Sequence, residues 1–240
     1  QKAKRLAEAS GGVILEIRGG ERHSGSHAPS SKSWHMAGGG ALLRLGIHSI
    51  GAAIYLKRAE GLRRSGQPIC PVSVIADVAN MEAVSGFREQ KDQYLVTGWE
   101  DVENWGTLML KFSDGSRAVL YGADVALGGM ESQLELLLSN ARIKCSMGPT
   151  NLCQAYAPDA RVFEAEYLTE KLETKAGWSW PAPDEEWALG HYQQAQDFVE
   201  AVLEDRSPLA DGQLGLDALK VVYGGYVSAE EGRAVDLRSC

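Results

Sequence analysis

The stretch Gly38-Gly39-Gly40-Ala41-Leu42-Leu43-Arg44-Leu45-Gly46-Ile47-His48 joins three glycines to an apolar segment that repeats at helical spacing. Glycine lets a backbone come close to a ligand or to another segment of chain. The recurrence of Leu42, Leu45, Ile50, Ile54 and Tyr55 predicts a helix from about Ala41 to Arg58. Arg44 and His48 stand four residues apart, and so on one face of it. An imidazole exchanges protons near neutrality, which makes His48 the first candidate for acid or base chemistry. The alternative is a core or cap histidine on a helix packed by small residues.

Upstream, Lys2 to Ala9 reads as a short helix stopped by Gly11 and Gly12, and Val13 to Ile17 as a strand. Glu21 to Ser33 reads as a polar loop. Its His23 and His27, with His35 beyond, have no Cys or acidic cluster at ligand spacing, which favours solvated histidines over a metal site. Downstream, Val72, Val74, Ala76 and Val78 alternate with their neighbours as a strand does. Trp105 to Phe112 and Arg117 to Gly122 flank Asp114-Gly115, a strong hairpin signal. A second hairpin pairs Gln133 to Leu138 with Ile143 to Met147 across Ser139-Asn140-Ala141-Arg142, where Asn140 is able to take a left-handed conformation, and Val162 to Tyr167 adds a strand.

Glu170 to Trp187, with Trp178, Trp180, Pro181 and Pro183, reads as an extended crossing. His191 to Leu203 is helical, with His191 a helix-start residue and Phe198, Val199 and Val202 on one side. Asp211 is an N-cap for a last helix from Gly212, expected to face inward through Leu216, Leu219, Tyr223 and Tyr226. Hairpins with helices at either end predict an α+β fold, an open and mostly antiparallel sheet with helices covering one face, as one domain over residues 1–240.

A chain of 240 residues with 44% hydrophobic and 23% charged residues is ordinary for one globular core. The net charge of −8 argues against nucleic acid, whose binding needs clustered Lys and Arg. Cys70, Cys145, Cys153 and Cys240 form no C-x-x-C pair, so reduced thiols in a cytoplasmic setting are the expectation. No continuous apolar run nears 18 residues and no leader pattern is visible, so no membrane partner is expected.

The glycine stretch resembles the G-G-G-A-L-x-D-x-G-x-H-x-x-D motif of the glucose-fructose oxidoreductase and inositol dehydrogenase (Gfo/Idh/MocA) family. Arg44 stands where the family usually has Asp, and Gly51 where a second Asp is common. The Phe112-Ser113-Asp114-Gly115 strand end fits the same pattern in order, as does the run from Asp197 through Pro208-Leu209-Ala210-Asp211-Gly212 and Gly215-Leu216-Asp217-Ala218-Leu219 to Glu231-Gly232-Arg233-Ala234-Val235. The family's G-x-G-x-x-G turn and Glu-Lys-Pro tripeptide have no counterpart here, and the chain opens at Gln1 with no Met before Met36. It therefore reads as the C-terminal portion of a longer enzyme, without the dinucleotide-binding domain.

The resemblance implies an oxidoreductase using NAD or NADP on a sugar, polyol or sugar acid, and a homo-oligomer paired through the open sheet face. It implies His48 as catalytic residue, with Arg44, Gly39, Gly40, Trp34 and His35 binding substrate. A guanidinium at position 44 should lower the His48 pKa, and its planar donors suit a substrate carboxylate; the equal alternative is that Arg44 points to solvent or to a salt bridge. The alternatives are a non-catalytic sugar- or nucleotide-sensing domain, favoured by the loss of both acidic positions, and an assembly scaffold.

Overall fold

Alternation along the strands builds a sheet with one covered face. In the computed structural model, which describes residues 1–146, 155–165, 167–168, 171–179, 181 and 185–239, helix α1 (Lys2–Ser10) leads into β1 (Ile14–Arg22). A short α2 (Trp34–Ala37), a π-helical turn at Leu42–Gly46 and α3 (Ile47–Ser65) follow. Next come β2 (Pro71–Ala79), β3 (Trp105–Phe112), β4 (Arg117–Ala123), β5 (Glu131–Leu138) and β6 (Arg142–Ser146). A short pair, β7 (Ala155–Ala157) and β8 (Gly177–Ser179), stands apart from the main sheet. The chain closes with α4 (Glu185–Leu189), α5 (His191–Leu203), α6 (Gly212–Glu231) and β9 (Val235–Asp236).

The main sheet is ordered β6-β5-β1-β4-β3-β2-β9, and β1 with β4 is its one parallel pair among the described residues. Leu108, Leu110, Phe112, Ala118 and Leu120 point to one face and are buried. There they meet Ile50 and Ile54 of α3 and Val221 of α6 in one core. The opposite face leaves Ile75, Met109 and Val119 exposed in a single cross-strand row. This is the expected α+β sheet with helices on one side. The helical run Trp34–Ser65 has the length and composition to cross a bilayer, yet 61% of its most apolar window is buried inside the fold, as in a core helix.

A buried ionic knot ties α3 to the sheet. Lys57 is fully buried; its ammonium donates to the Ile14 carbonyl at 3.0 Å, to Asp114 at 2.9 Å and to Glu60. Glu60 also accepts the Ile14 N–H at 2.9 Å. Asp211, whose carboxylate lies 4.0 Å from Arg58 of α3, accepts the Leu214 N–H at 2.7 Å and caps α6 as expected. Replacing it with alanine should cost about 1 kcal/mol, read as a lower urea midpoint at unchanged slope.

Several local expectations are corrected. Strand β1 does not stop at Ile17, because pairing with β4 on one side and β5 on the other carries its polar residues through Arg22. His23 is not solvated: its N–H donates to the Ala123 carbonyl and it is 5% exposed. Asn140 is not left-handed, the positive-φ residues other than glycine in the described chain being Lys171 and Asp205; its amide instead donates to the Ser10 carbonyl at 2.7 Å. The segment expected as a strand at Val162 begins within a 3₁₀ turn, Ala160–Phe163, because the Asp159 carboxylate takes the Arg161 N–H locally.

Helix α6 turns Ala218, Val221 and Val222 inward, so Leu216, Leu219 and Tyr223 stay partly exposed; small and β-branched residues let the helix lie close on the sheet. In the crossing, Trp178 packs on Tyr156 at 5.4 Å, and Trp187 lies in α4 rather than in extended chain. Cys70 and Cys145 are free thiols. Met147, Trp180, Pro183, Cys153 and Cys240 lie outside the described residues.

Candidate functional site

Ile17, Gly19 and Glu21 alternate onto the helix-covered face of β1, and His23 continues the series past the end of the strand. The first turn of α3 places His48 over this edge. Its Nδ1 lies 3.0 Å from Oε2 of Glu21, with the imidazole side chain 58% exposed and the carboxylate side chain 10% exposed. The hydrogen bond to Glu21 raises the His48 pKa above its ordinary value, and burial opposes it only in part. Both side chains line an open cleft of about 510 Å³, with His23, Ser132, His191 and Gln194 among its walls. His191 is the first residue of α5, as expected, and is held by Glu186.

Arg44 does not act on His48 as expected. The π turn widens the helix where the two residues would have shared a face. The guanidinium goes instead to the fully buried Asp124, lying over the Trp99 ring with its centre 5.1 Å away. Burial outweighs the attraction of Arg44 and pushes the Asp124 carboxyl up to about 6; its Oδ1, like Nε of Arg44, has no hydrogen-bond partner among the described residues. His23 is pushed down to about 4 by burial, then by the charges of Lys171 and Arg44.

The depressed His23 pKa loses stability as pH falls from about 6.5 to about 4, by roughly 3 kcal/mol, because the unfolded chain takes the proton first. The raised Asp124 pKa works the other way between about 6 and 3.8, by a similar amount, so the two offset each other. Arg44→Met should therefore leave the His48 pKa unchanged and raise that of His23, read by NMR titration of the ring resonances.

Glycines 39 and 40 are buried by packing. Gly40 donates its N–H to Glu103 at 3.0 Å, and a Cβ there would lie 1.9 Å from the Glu103 carbonyl oxygen. Glu103 also accepts the Leu42 N–H at 2.8 Å and the Tyr226 hydroxyl at 2.9 Å, which locks the turn to α6. Burial raises the Glu103 pKa, and these donors pull it back in part. Gly39 sits beneath the Tyr226 hydroxyl and Leu43. Trp34 meets Tyr226 and Tyr223 edge-on at 5.1 and 6.3 Å, and His35 is exposed. Of the residues expected to form the site, His48 lines the cleft, while Arg44, Gly39, Gly40, Trp34 and His35 do not.

Sequence patterning does not single out Glu21, nor Asp124 and Glu103 as the buried partners of Arg44 and Gly40, and it reads His23 as a solvated loop residue. Reading β1 through Arg22 would have put Glu21 and His23 in step with Ile17, the one sequence signal that leads to them.

A dinucleotide finds no seat at these glycines. They follow a helix of four residues rather than a strand, and Glu103 and Tyr226 fill the space beside them. Among the described residues no group of three or more His, Cys, Asp or Glu could hold a metal ion.

No curated protein matches the sequence. Solved structures match its fold. GenD2 from gentamicin A biosynthesis, in complex with NAD, is 23% identical with a TM-score of 0.74, covering 98% of this chain and 59% of its own. Myo-inositol 2-dehydrogenase from Lactobacillus plantarum is 22% identical with a TM-score of 0.62, covering 98% and 60%. A myo-inositol dehydrogenase from Corynebacterium glutamicum is 16% identical with a TM-score of 0.66, again covering 98% and 60%. The chain thus spans about three fifths of the length of the structures it resembles. The family model for the GFO/IDH/MocA C-terminal domain matches residues 1–144, which hold the glycine turn, α3, the Glu21–His48 pair and the sheet from β1 to β5, and the chain belongs to that family.

Proposed function

We propose that this chain is the substrate-side domain of an NAD(P)-dependent oxidoreductase acting on a sugar, polyol or sugar acid. His48 is its catalytic proton acceptor and Glu21 the positioning residue. The observation that carries this reading is the exposed imidazole held by a carboxylate at the wall of an open cleft. An alcohol cannot become a carbonyl unless its hydroxyl proton leaves, and a group titrating near neutrality takes that proton best. The O–H bond breaks, the proton passes to the His48 ring nitrogen that Glu21 does not hold, and Glu21 stabilises the imidazolium formed. The hydride acceptor would be a nicotinamide, NAD or NADP, carried by a nucleotide-binding domain outside these residues.

The exposed row of Ile75, Met109 and Val119 supports self-pairing of the sheet into a homo-oligomer, and the free Cys70 and Cys145 fit a cytoplasmic setting. The sensing alternative drew its support from the missing acids at positions 44 and 51. Glu21 supplies from β1 the carboxylate that the helix lacks, and this favours the enzyme. The test is a turnover assay of the full-length protein with NAD and NADP against polyols, sugars and sugar acids. Reduction of the nicotinamide with at least one substrate is expected; binding of a sugar with no turnover under any condition would overturn the enzymatic reading.

A further inference from the structure

Three histidines line one cleft, His23, His48 and His191, and the ring nitrogens of the first two are committed differently. His48 gives Nδ1 to Glu21, which leaves its other nitrogen to take a proton. His23 gives Nδ1 to the backbone: the Gly25 N–H donates to it at 2.9 Å. That nitrogen must carry a lone pair, since a proton on it would face the Gly25 proton head-on. Asp124 Oδ1, at 3.5 Å, is too far to compete and accepts no hydrogen bond. A neutral ring with an accepting Nδ1 carries its hydrogen on Nε2. Among the described residues that N–H has no acceptor and is not one of the sealed, unpartnered atoms, and His23 lines the cleft, which leaves the N–H available to a ligand there.

We propose that His23 is a substrate-binding residue that donates an Nε2 hydrogen bond to an oxygen of the bound sugar or polyol, complementary to the accepting role of His48. This rests on the preceding functional reading and deepens it. The cleft would recognise a substrate with at least two oxygens, one giving a proton to His48 and one accepting from His23. The charged groups around His23 keep it a pure donor. Arg44 from the π turn and Lys171 from the crossing disfavour a second positive charge, while Glu21 on β1 and Glu173 oppose them weakly. A ring held neutral by its surroundings polarises an oxygen without surrendering the proton.

Nitrogen-15 NMR of the full-length protein tests this without turnover. His23 should show the Nε2–H tautomer from pH 8 down to pH 5.5, while His48 titrates above 6.5. The Nδ1–H tautomer, or a His23 titration near 6.5, would overturn the proposal whatever the enzyme does. Myo-inositol, scyllo-inositol and glucose then serve as probes. A ligand that shifts both rings supports the proposal, and one that shifts His48 but leaves His23 unmoved refutes it. Silence at both rings with every probe refutes the parent reading as well.

Two variants separate packing from binding. His23→Asn keeps an acceptor for Gly25 but loses the donor at the Nε2 position, and should weaken probe binding at least tenfold with little change in melting temperature. His23→Gln restores a donor there and should recover part of that loss. Equal binding by His23→Asn and wild type would count against the role.

Discussion

Lys57→Ala is expected to destabilise the domain by about 3–5 kcal/mol, the usual cost of removing one partner from a buried ion pair. The ammonium is wholly enclosed, and the Glu60 side chain beside it is 3% exposed. With the lysine gone, Glu60 is a buried charge that keeps the Ile14 N–H as its one hydrogen-bond donor among the described residues, and the Ile14 carbonyl loses its side-chain donor. Asp114 suffers less, being 26% exposed and still bonded to Ser116. Charge imbalance, rather than lost volume, should carry most of the effect. The double variant Lys57→Met with Glu60→Gln should therefore recover a large part of the loss, since methionine fills the space and the glutamine oxygen can still accept the Ile14 N–H. Urea unfolding of the three proteins decides it: a single-variant cost under about 1 kcal/mol would mean that the knot is not what pins α3 to β1.

On the proposed role of His48 as proton acceptor, His48→Asn is expected to lower kcat by roughly 10²–10⁴-fold in the full-length protein, the range spanned by a lost general base. Its melting temperature should barely move, because the imidazole is more than half exposed and packs little. Glu21→Gln is the subtler change. It keeps an oxygen for the imidazole but removes the charge that favours imidazolium, so the acid limb of the kcat/KM profile should move to lower pH while KM changes little. A purely structural Glu21 would lower stability and leave the limb in place. The sign of the stability linkage agrees: a raised His48 pKa contributes stability fully present below the unfolded value near 6.5 and lost as pH rises through the folded one.

What could be read in advance was what local chemistry decides. The β3–β4 hairpin follows from alternation on both sides of Asp114-Gly115, and α5 spans His191–Leu203 as its pattern required. The cap at Asp211 is equally local. The site was half legible. His48 stood out because an imidazole follows a glycine turn on an apolar helix, but its partner lies 27 residues upstream, on a strand whose polar end looked like loop. Arg44 finds Asp124 80 residues downstream, and only the parallel pairing of β1 with β4 brings that end of the sheet under the π turn.

The glycines misled for a different reason: a backbone that permits close approach does not say what approaches, and here it is Glu103. Helix α6 misled through residue size, since its larger apolar side chains stay outside while alanine, glycine and valine let it lie on β2.

Glu21, and not Arg44, sets the proton affinity of an imidazole at the wall of the cleft. NMR titration of His48 in wild type, Glu21→Gln and Arg44→Met tests it most directly. The account expects a value above 6.5 in wild type, a clear fall in Glu21→Gln and no change in Arg44→Met; a His48 value that ignores Glu21→Gln, or that follows Arg44→Met instead, would contradict it.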